Sequence, residues 1–315
     1  MKGGYDDSDW SRCLRRHATT IDGTQGGRAV IIQETFPATT VIDGFTITNG
    51  KGGISIFRSS VDIHNCIIVQ NHTDVSDGGG ILIDRSLVSI TNTIVADNSA
   101  NHDGAIRIIS TISEPGPASR VDINHATIVN NRAMDRDGIL CSLSACDIRN
   151  SIIWGHNDED ISGPGWNATY SNIEMGHSDV GNISQDPGFL DPAQGDYHLR
   201  CDSPCIDTGI NENSPSRDFE DDPRPVDGNF DGNLTVDMGA DEFMIHCQAD
   251  FDNDGNVDGV DMIAFIENCF QAECCDGGPI QLERDIANDC DDPICDLATF
   301  AADFGRTDCR FCPDF

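Results

Sequence analysis

Short runs of alternating apolar and polar residues fill most of the chain between residues 30 and 170, and they return at a regular interval. VDIHNCIIVQN at 61–71 comes back as VSITNTIVADN at 88–98, VDINHATIVNN at 121–131 and CDIRNSIIWGHN at 146–157, with starts 27, 33 and 25 residues apart. A glycine-led run precedes each copy: GGISI from Gly52, GGILI from Gly79, GAIRI from Gly104 and GILCSL from Gly138. VIDGFTITNG at 41–50 is an earlier, partial copy. Period-two alternation marks strands with one buried face. A unit this short cannot bury that face alone, whereas stacked units cover one another with like residues over like residues.

Three short strands per unit, with Val and Ile inward and Asn at the bends, predict a right-handed parallel β-helix over 27–185, preceded by a partial N-terminal segment at 1–26. The asparagines fall in two columns. Asn65, Asn92 and Asn150 share one, with His125 in the third place; Asn71, Asn98, Asn131 and Asn157 share the other, one residue late in the last copy. Asn tolerates the left-handed backbone of a sharp bend, and stacked amides can bond from coil to coil. The long step contains STISEPGPAS at 110–119, which predicts a loop bulging from one coil.

From residue 186 the pattern changes. DPGFLDPAQGDYHLRCDSPCIDTG and, further on, DFEDDPRPVDGNFDGNLTVDMGADEF resemble the closing segment of many secreted bacterial β-helix proteins, in which SPCIDTG and VDMGADEF end the solenoid. The resemblance covers 186–243 and implies a pectate-lyase-like architecture without naming a reaction. It also implies that Cys201 and Cys205 pair with each other or clamp this cap. DGNFDGNLTVD at 227–237 has calcium-like spacing, but Met238 stands where an acid is needed, so the stretch reads as cap structure.

Charge narrows the partners. The 315 residues carry 19 Lys and Arg against 54 Asp and Glu, a formal charge of -35. Phosphate recognition needs a positive surface, so nucleic acid and anionic membranes are excluded as partners. No apolar run is long enough for membrane insertion. Eight of the 14 cysteines lie between Cys247 and Cys312, a density that points to disulfides and an oxidising compartment, hence to a secreted or cell-surface protein. MKGGYDDSDW carries no apolar signal core, so the expectation is that the sequence begins inside a longer protein.

The C-terminal stretch, 244–315, carries a different chemistry. In DFDNDGNVDGVD at 250–261, Asp250, Asp252, Asp254, Asn256, Asp258 and Asp261 occupy the oxygen-donor positions of a calcium loop, and Gly255 occupies its sixth position. Position seven lends its backbone carbonyl, and Met262, Phe265, Ile266 and Cys269 follow at helical spacing. A second copy starts at Asp285. Asp285, Asp289, Asp291 and Asp296 hold ligand positions, whereas Ala287 and Pro293 replace two others, so the expectation is a loop that binds calcium more weakly or with extra water. Two such loops, each followed by one helix, resemble a dockerin, an EF-hand-type module of secreted carbohydrate-active proteins. The resemblance covers 247–312 and implies calcium as the cofactor and a cohesin-like protein or cell-surface component as the partner. At the loop positions that face the partner in type I dockerins, this chain has Gly259–Val260 and Ile294–Cys295 in place of Ser/Thr pairs.

One cluster could carry catalysis. Asp77, Asp103 and Asp137 each precede the glycine-led run of their coil, and Arg107 projects outward beside them. Stacked at one corner, about 4.8 Å apart, they would offer the paired carboxylates that glycoside hydrolysis uses. A solvated acidic turn is the plainer expectation. The leading expectation is therefore a β-helix that binds or displays polysaccharide and is attached through a calcium module. The rivals are a polysaccharide lyase or glycoside hydrolase using the acidic ladder, and an adhesin-like structural protein.

Overall fold

A computed structural model describes residues 1–4, 18–24, 26–111, 117–200, 202–229, 231–243, 259–260 and 262–263, with the side chains of 75–77 outside that description. The chain divides into two units, Met1–Phe243 and Met244–Phe315. In the second, Gly259, Val260, Met262 and Ile263 are helical. Both calcium-loop predictions, apart from Gly259 and Val260, lie outside the described residues.

The first unit is a parallel β-helix of about five turns. Its first face is a six-stranded sheet of Val30–Gln33, Ile54–Phe57, Ile81–Asp84, Ile106–Ile109, Ile139–Cys141 and Ile161–Ser162. The second face joins Thr39–Asp43, Ser60–His64, the first halves of Leu87–Ala96 and Arg120–Val129, then Ala145–Arg149 and Trp166–Thr169. The third runs through Thr19–Asp22, Phe45–Thr48, Ile67–Val69, the second halves of the two long strands, Ile152–Trp154 and Asn172–Ile173. Every pairing between successive coils is parallel, because each coil advances by one strand spacing and repeats the same path.

The interior follows from the alternation. Ile54, Ile81, Ile106 and Ile139 stack in register on the first face, Ile63, Ile90, Ile123 and Ile148 on the second, and Ile68, Val95, Ile128 and Ile153 on the third. All are almost wholly buried and belong to one core.

Three columns of left-handed residues turn the corners. Glu34, Arg58 and Arg85 turn the first; Gly44, Asn65, Asn92, His125, Asn150 and Tyr170 the second; Asn49, Gln70, Asp97, Asn130 and Gly155 the third. The residue after the third-corner turn forms an asparagine ladder. Asn98 Oδ1 accepts from the backbone N–H of Asn71 (3.0 Å) and from Asn71 Nδ2 (2.9 Å), and Asn131 Oδ1 does the same for Asn98 (3.0 and 3.0 Å). The next step of that column is His156, one residue before Asn157, as the pairing of Val129 with Trp154 requires.

Cys141 and Cys146 form a disulfide across the corner that Leu143 turns. The pairing expected for Cys205 is corrected. Its thiol is free and buried, takes a hydrogen bond from Asn172 Nδ2 (3.2 Å), and is pushed up to about 12, chiefly by burial.

The closing stretch behaves differently from a simple end cap. The described residues of 189–243 lie along the outside of the third face and the second corner, and outward Ile94, Ala96, Val129 and Ile152 join Phe189, Tyr197, Leu199, Phe219 and Met238 in a second core. The two motifs interlock there. Met238 N–H donates to Cys205 O (3.0 Å), Gly209 N–H to Val236 O (2.9 Å) and Asp207 N–H to Asp237 Oδ1 (2.7 Å). Gly239, at φ 105°, presses against the solenoid: a Cβ there would meet Ile152 Cδ1 at 2.8 Å. The carboxylates of Asp227 and Asp231 cap backbone amides of their own turn, and among the described residues no acidic or histidine group is arranged to hold a metal.

Candidate functional site

The expected ladder of Asp77, Asp103 and Asp137 is not stacked. Ile81, Ile106 and Ile139 pair in register. Counting back from them, Asp77 lies four residues before its isoleucine, Asp103 three and Asp137 two. Asp77 therefore pairs with His102, and His102 with Asp135, while Asp103 comes opposite Gly78 and Arg136. The signal was present in the chain: GGGI, GAI and GI hold different numbers of small residues between acid and anchor.

Each described carboxylate of that corner is bonded within the fold. Asp103, fully buried and in the left-handed conformation, receives Arg136 Nε at 2.7 Å and also Arg107 Nη1. Asp137 accepts the backbone N–H groups of Ala133 (2.5 Å) and Asn157 (2.8 Å). The bond from His102, reinforced by Arg136, holds the Asp135 carboxyl below its usual range. The corner is thus a structural ion network, in which buried charges are matched by opposite charges and amides.

The outward side of the second face has another character. Strand alternation sends every second residue out, and the register lines them up in ranks. One rank reads Val41, Asp62, Ser89, Asp122, Asp147, Asn167; the next reads Asp43, His64, Thr91, Asn124, Arg149, Thr169. At the later coils these ranks end in a groove of about 190 Å³ lined by Arg120, Asp122, Asp147, Arg149, Asn167 and Thr169, with Tyr170 and Ile210 at its side.

The groove owes its wall to the second corner. Asn150 Nδ2 donates to Ile210 O (3.0 Å), Asn150 Oδ1 accepts Ile210 N–H (2.8 Å), and Asn124 Nδ2 donates to Asn213 O (3.2 Å). Arg120 bridges to Asp147 at 2.7 Å and Asp122 at 3.4 Å. Among the described residues no carboxylate pairs with Arg149. No sequence motif pointed to this groove, because its residues come from three successive coils, which only stacking brings together, and from Ile210 of the closing stretch.

No family model, curated protein or solved structure matches this chain.

Proposed function

We propose that this is a secreted or cell-surface β-helix protein that binds or displays polysaccharide on its second face, attached through a calcium-dependent, dockerin-like module at 247–312. The observation that carries the reading is the continuous rank of hydrogen-bonding side chains ending in the groove beside Arg149. A flat face with donors and acceptors repeating about every 4.8 Å can follow an extended, hydroxyl-rich polymer over several coils. Planar amide, guanidinium and carboxylate groups supply the directional bonds that fix orientation.

Lyase or hydrolase chemistry at Asp77, Asp103, Asp137 and Arg107 is less favoured. Asp103 and Asp137 carry bonds to arginines and backbone amides that a general acid would have to give up. Calcium at Asp250, Asp252, Asp254, Asn256, Asp258 and Asp261 rests on the spacing of oxygen donors around Gly255.

The test is a co-sedimentation assay of the full chain against a panel of insoluble polysaccharides, with and without chelator. Wild type should bind at least one of them. The triple variant Asp122→Ala, Arg149→Ala, Asn167→Ala should lose that binding while keeping its thermal transition. Retention of binding by the triple variant would place recognition elsewhere. Chelation should change protease resistance within 247–312 and leave the β-helix transition in place.

A further inference from the structure

A second concavity lies on another side of the molecule, where the closing stretch fails to cover the whole third face. Its volume is about 600 Å³, within the roughly 300–1,000 Å³ of small-molecule sites. The floor is apolar: Ile67 and Val69 stay half-exposed there beside buried Ile94 and Ala96. The lip is polar, with Gln70 and Asp97 from the third corner facing Gln194, Asp196, His198 and Glu220 of the closing stretch.

The lip is held rigidly. Tyr197 OH donates to Asp97 Oδ2 (2.9 Å) and accepts from Asn130 Nδ2 (3.3 Å). His198 is clamped between Asp196 Oδ1 (2.5 Å) and Glu220 Oε2 (3.1 Å). Burial alone would lower the basicity of that imidazole. The bond to Glu220, the charges of Asp241 and Glu220 and the bond to Asp196 outweigh it and raise the group to about 10. His198 is therefore a fixed cation at neutral pH, unsuited to proton transfer and suited to holding two acceptors in place.

Asp97, Asp196 and Glu220 outnumber His198 on the lip, so an anion is repelled, and these carboxylates are already engaged by Tyr197 OH and the two nitrogens of His198, so a cation would have to compete for them. A ligand without charge, with hydroxyl donors on its edge and an apolar face, meets neither penalty. We propose that this cleft binds a neutral saccharide, with its apolar face on Ile67 and Val69 and its hydroxyls bonded to Gln70, Asp97, Gln194 and Asp196. The site lies on a different face from the groove beside Arg149 and shares with that reading only the chemical class of ligand.

The test uses the full chain and isothermal titration with neutral oligosaccharides (cello-, xylo- and manno-hexaose), with hexagalacturonate and with a glucosamine hexamer. At least one neutral oligosaccharide should bind. Gln194→Ala combined with Gln70→Asn, which keeps the left-handed backbone at 70, should weaken it at least tenfold, and Val69→Lys should abolish it. Titration in the Asp122→Ala, Arg149→Ala, Asn167→Ala background, which removes the second-face groove, isolates the cleft: binding that persists there and is weakened on adding the Gln70/Gln194 changes supports the cleft, and absence of binding in that background overturns it. Binding of hexagalacturonate or the glucosamine hexamer alone, no binding of any neutral sugar, or full affinity in the Gln70/Gln194 variant would each overturn the inference. Should Val69→Lys fail to fold, the Gln70/Gln194 variant, built on exposed positions, still decides.

Discussion

The inside of the solenoid and the covered outside of its third face are both buried, but they are held by different physics. Inside, Ile63, Ile90, Ile123 and Ile148 repeat one contact coil after coil, and polar side chains repeat with them, as Asn71, Asn98 and Asn131 and the buried Ser59, Ser86 and Ser119 bond from coil to coil. Outside, beneath 189–243, apolar contacts share the space with buried charge. Arg224 Nε meets Glu242 Oε2 at 2.8 Å, its Nη1 donates to Asn92 Oδ1 (3.0 Å) across 132 residues of sequence, and its Nη2 donates to Gly239 O (3.3 Å) and Ala240 O (3.2 Å). Glu242 accepts the N–H groups of Val226 and Asp237, and Asp218 those of Glu220, Asp222 and Glu242. The repeated core is redundant, so any single coil can be perturbed and its neighbours still stack. The flank core adds to its apolar contacts one guanidinium that ties Glu242, Asn92, Gly239 and Ala240 together.

The sharpest way to break this contrast is Arg224→Ala. It strands Glu242 beside other buried carboxylates, and loss of one partner of such a pair costs about 3–5 kcal/mol. Denaturant unfolding should show that loss with the β-sheet circular dichroism retained. A loss under about 1 kcal/mol would show that the flank does not depend on this ion. Ile90→Ala, inside, should cost about 2–5 kcal/mol through lost burial and a residual cavity. Asn98→Ala should cost about 1–3 kcal/mol, because the buried backbone N–H of Asn71 and the Ile68 carbonyl lose their partners. Amide exchange at Asn71 and its neighbours should accelerate in that variant alone.

His125 offers a gain. It fills an asparagine's place in the second corner, fully buried, and neither ring nitrogen finds a partner. Burial, followed by the charges of Arg224 and Arg149, holds it well below its ordinary 6.5, so it folds neutral. The unfolded chain binds a proton there below about pH 6.5 that the folded chain refuses, so its share of stability is lost as pH falls through that range. His125→Asn should raise stability by about 1 kcal/mol at neutral pH and by more at pH 5, as thermal melts across pH would record.

The last test concerns His198. Its folded value is raised to about 10 from 6.5, so its contribution is complete below pH 6.5 and fades as pH climbs towards 10. His198→Gln should flatten the decline of melting temperature in that window relative to wild type. An identical slope in both proteins would remove His198 as a fixed cation and weaken the charge argument for the neighbouring cleft.

Much of the first unit was legible in the chain. The repeat, the inward Val and Ile, the left-handed Asn65, Asn92, His125 and Asn150 and the ladder of Asn71, Asn98 and Asn131 all follow from local periodicity, because each coil copies the pairing of the one before. Even the failure of Asp77, Asp103 and Asp137 to stack was countable as four, three and two residues to the anchoring isoleucine. The use of SPCIDTG and VDMGADEF was not. Periodicity cannot say which outward apolar residues, such as Ile94 and Ile152, are to be covered, nor that Cys205 stays a free thiol beneath the cover.

The sequence by itself determined the coil, since alternation and bend residues act over a few positions and repeat. Only the tertiary structure decided where chemistry can occur. The groove beside Arg149 and the cleft beside His198 are made of residues that meet through stacking or through contacts between distant segments, such as Tyr197 with Asp97, 100 positions apart, at 2.9 Å. A local pattern carries no record of such meetings, because the free energy that creates them belongs to the folded surface and not to any one segment of the chain.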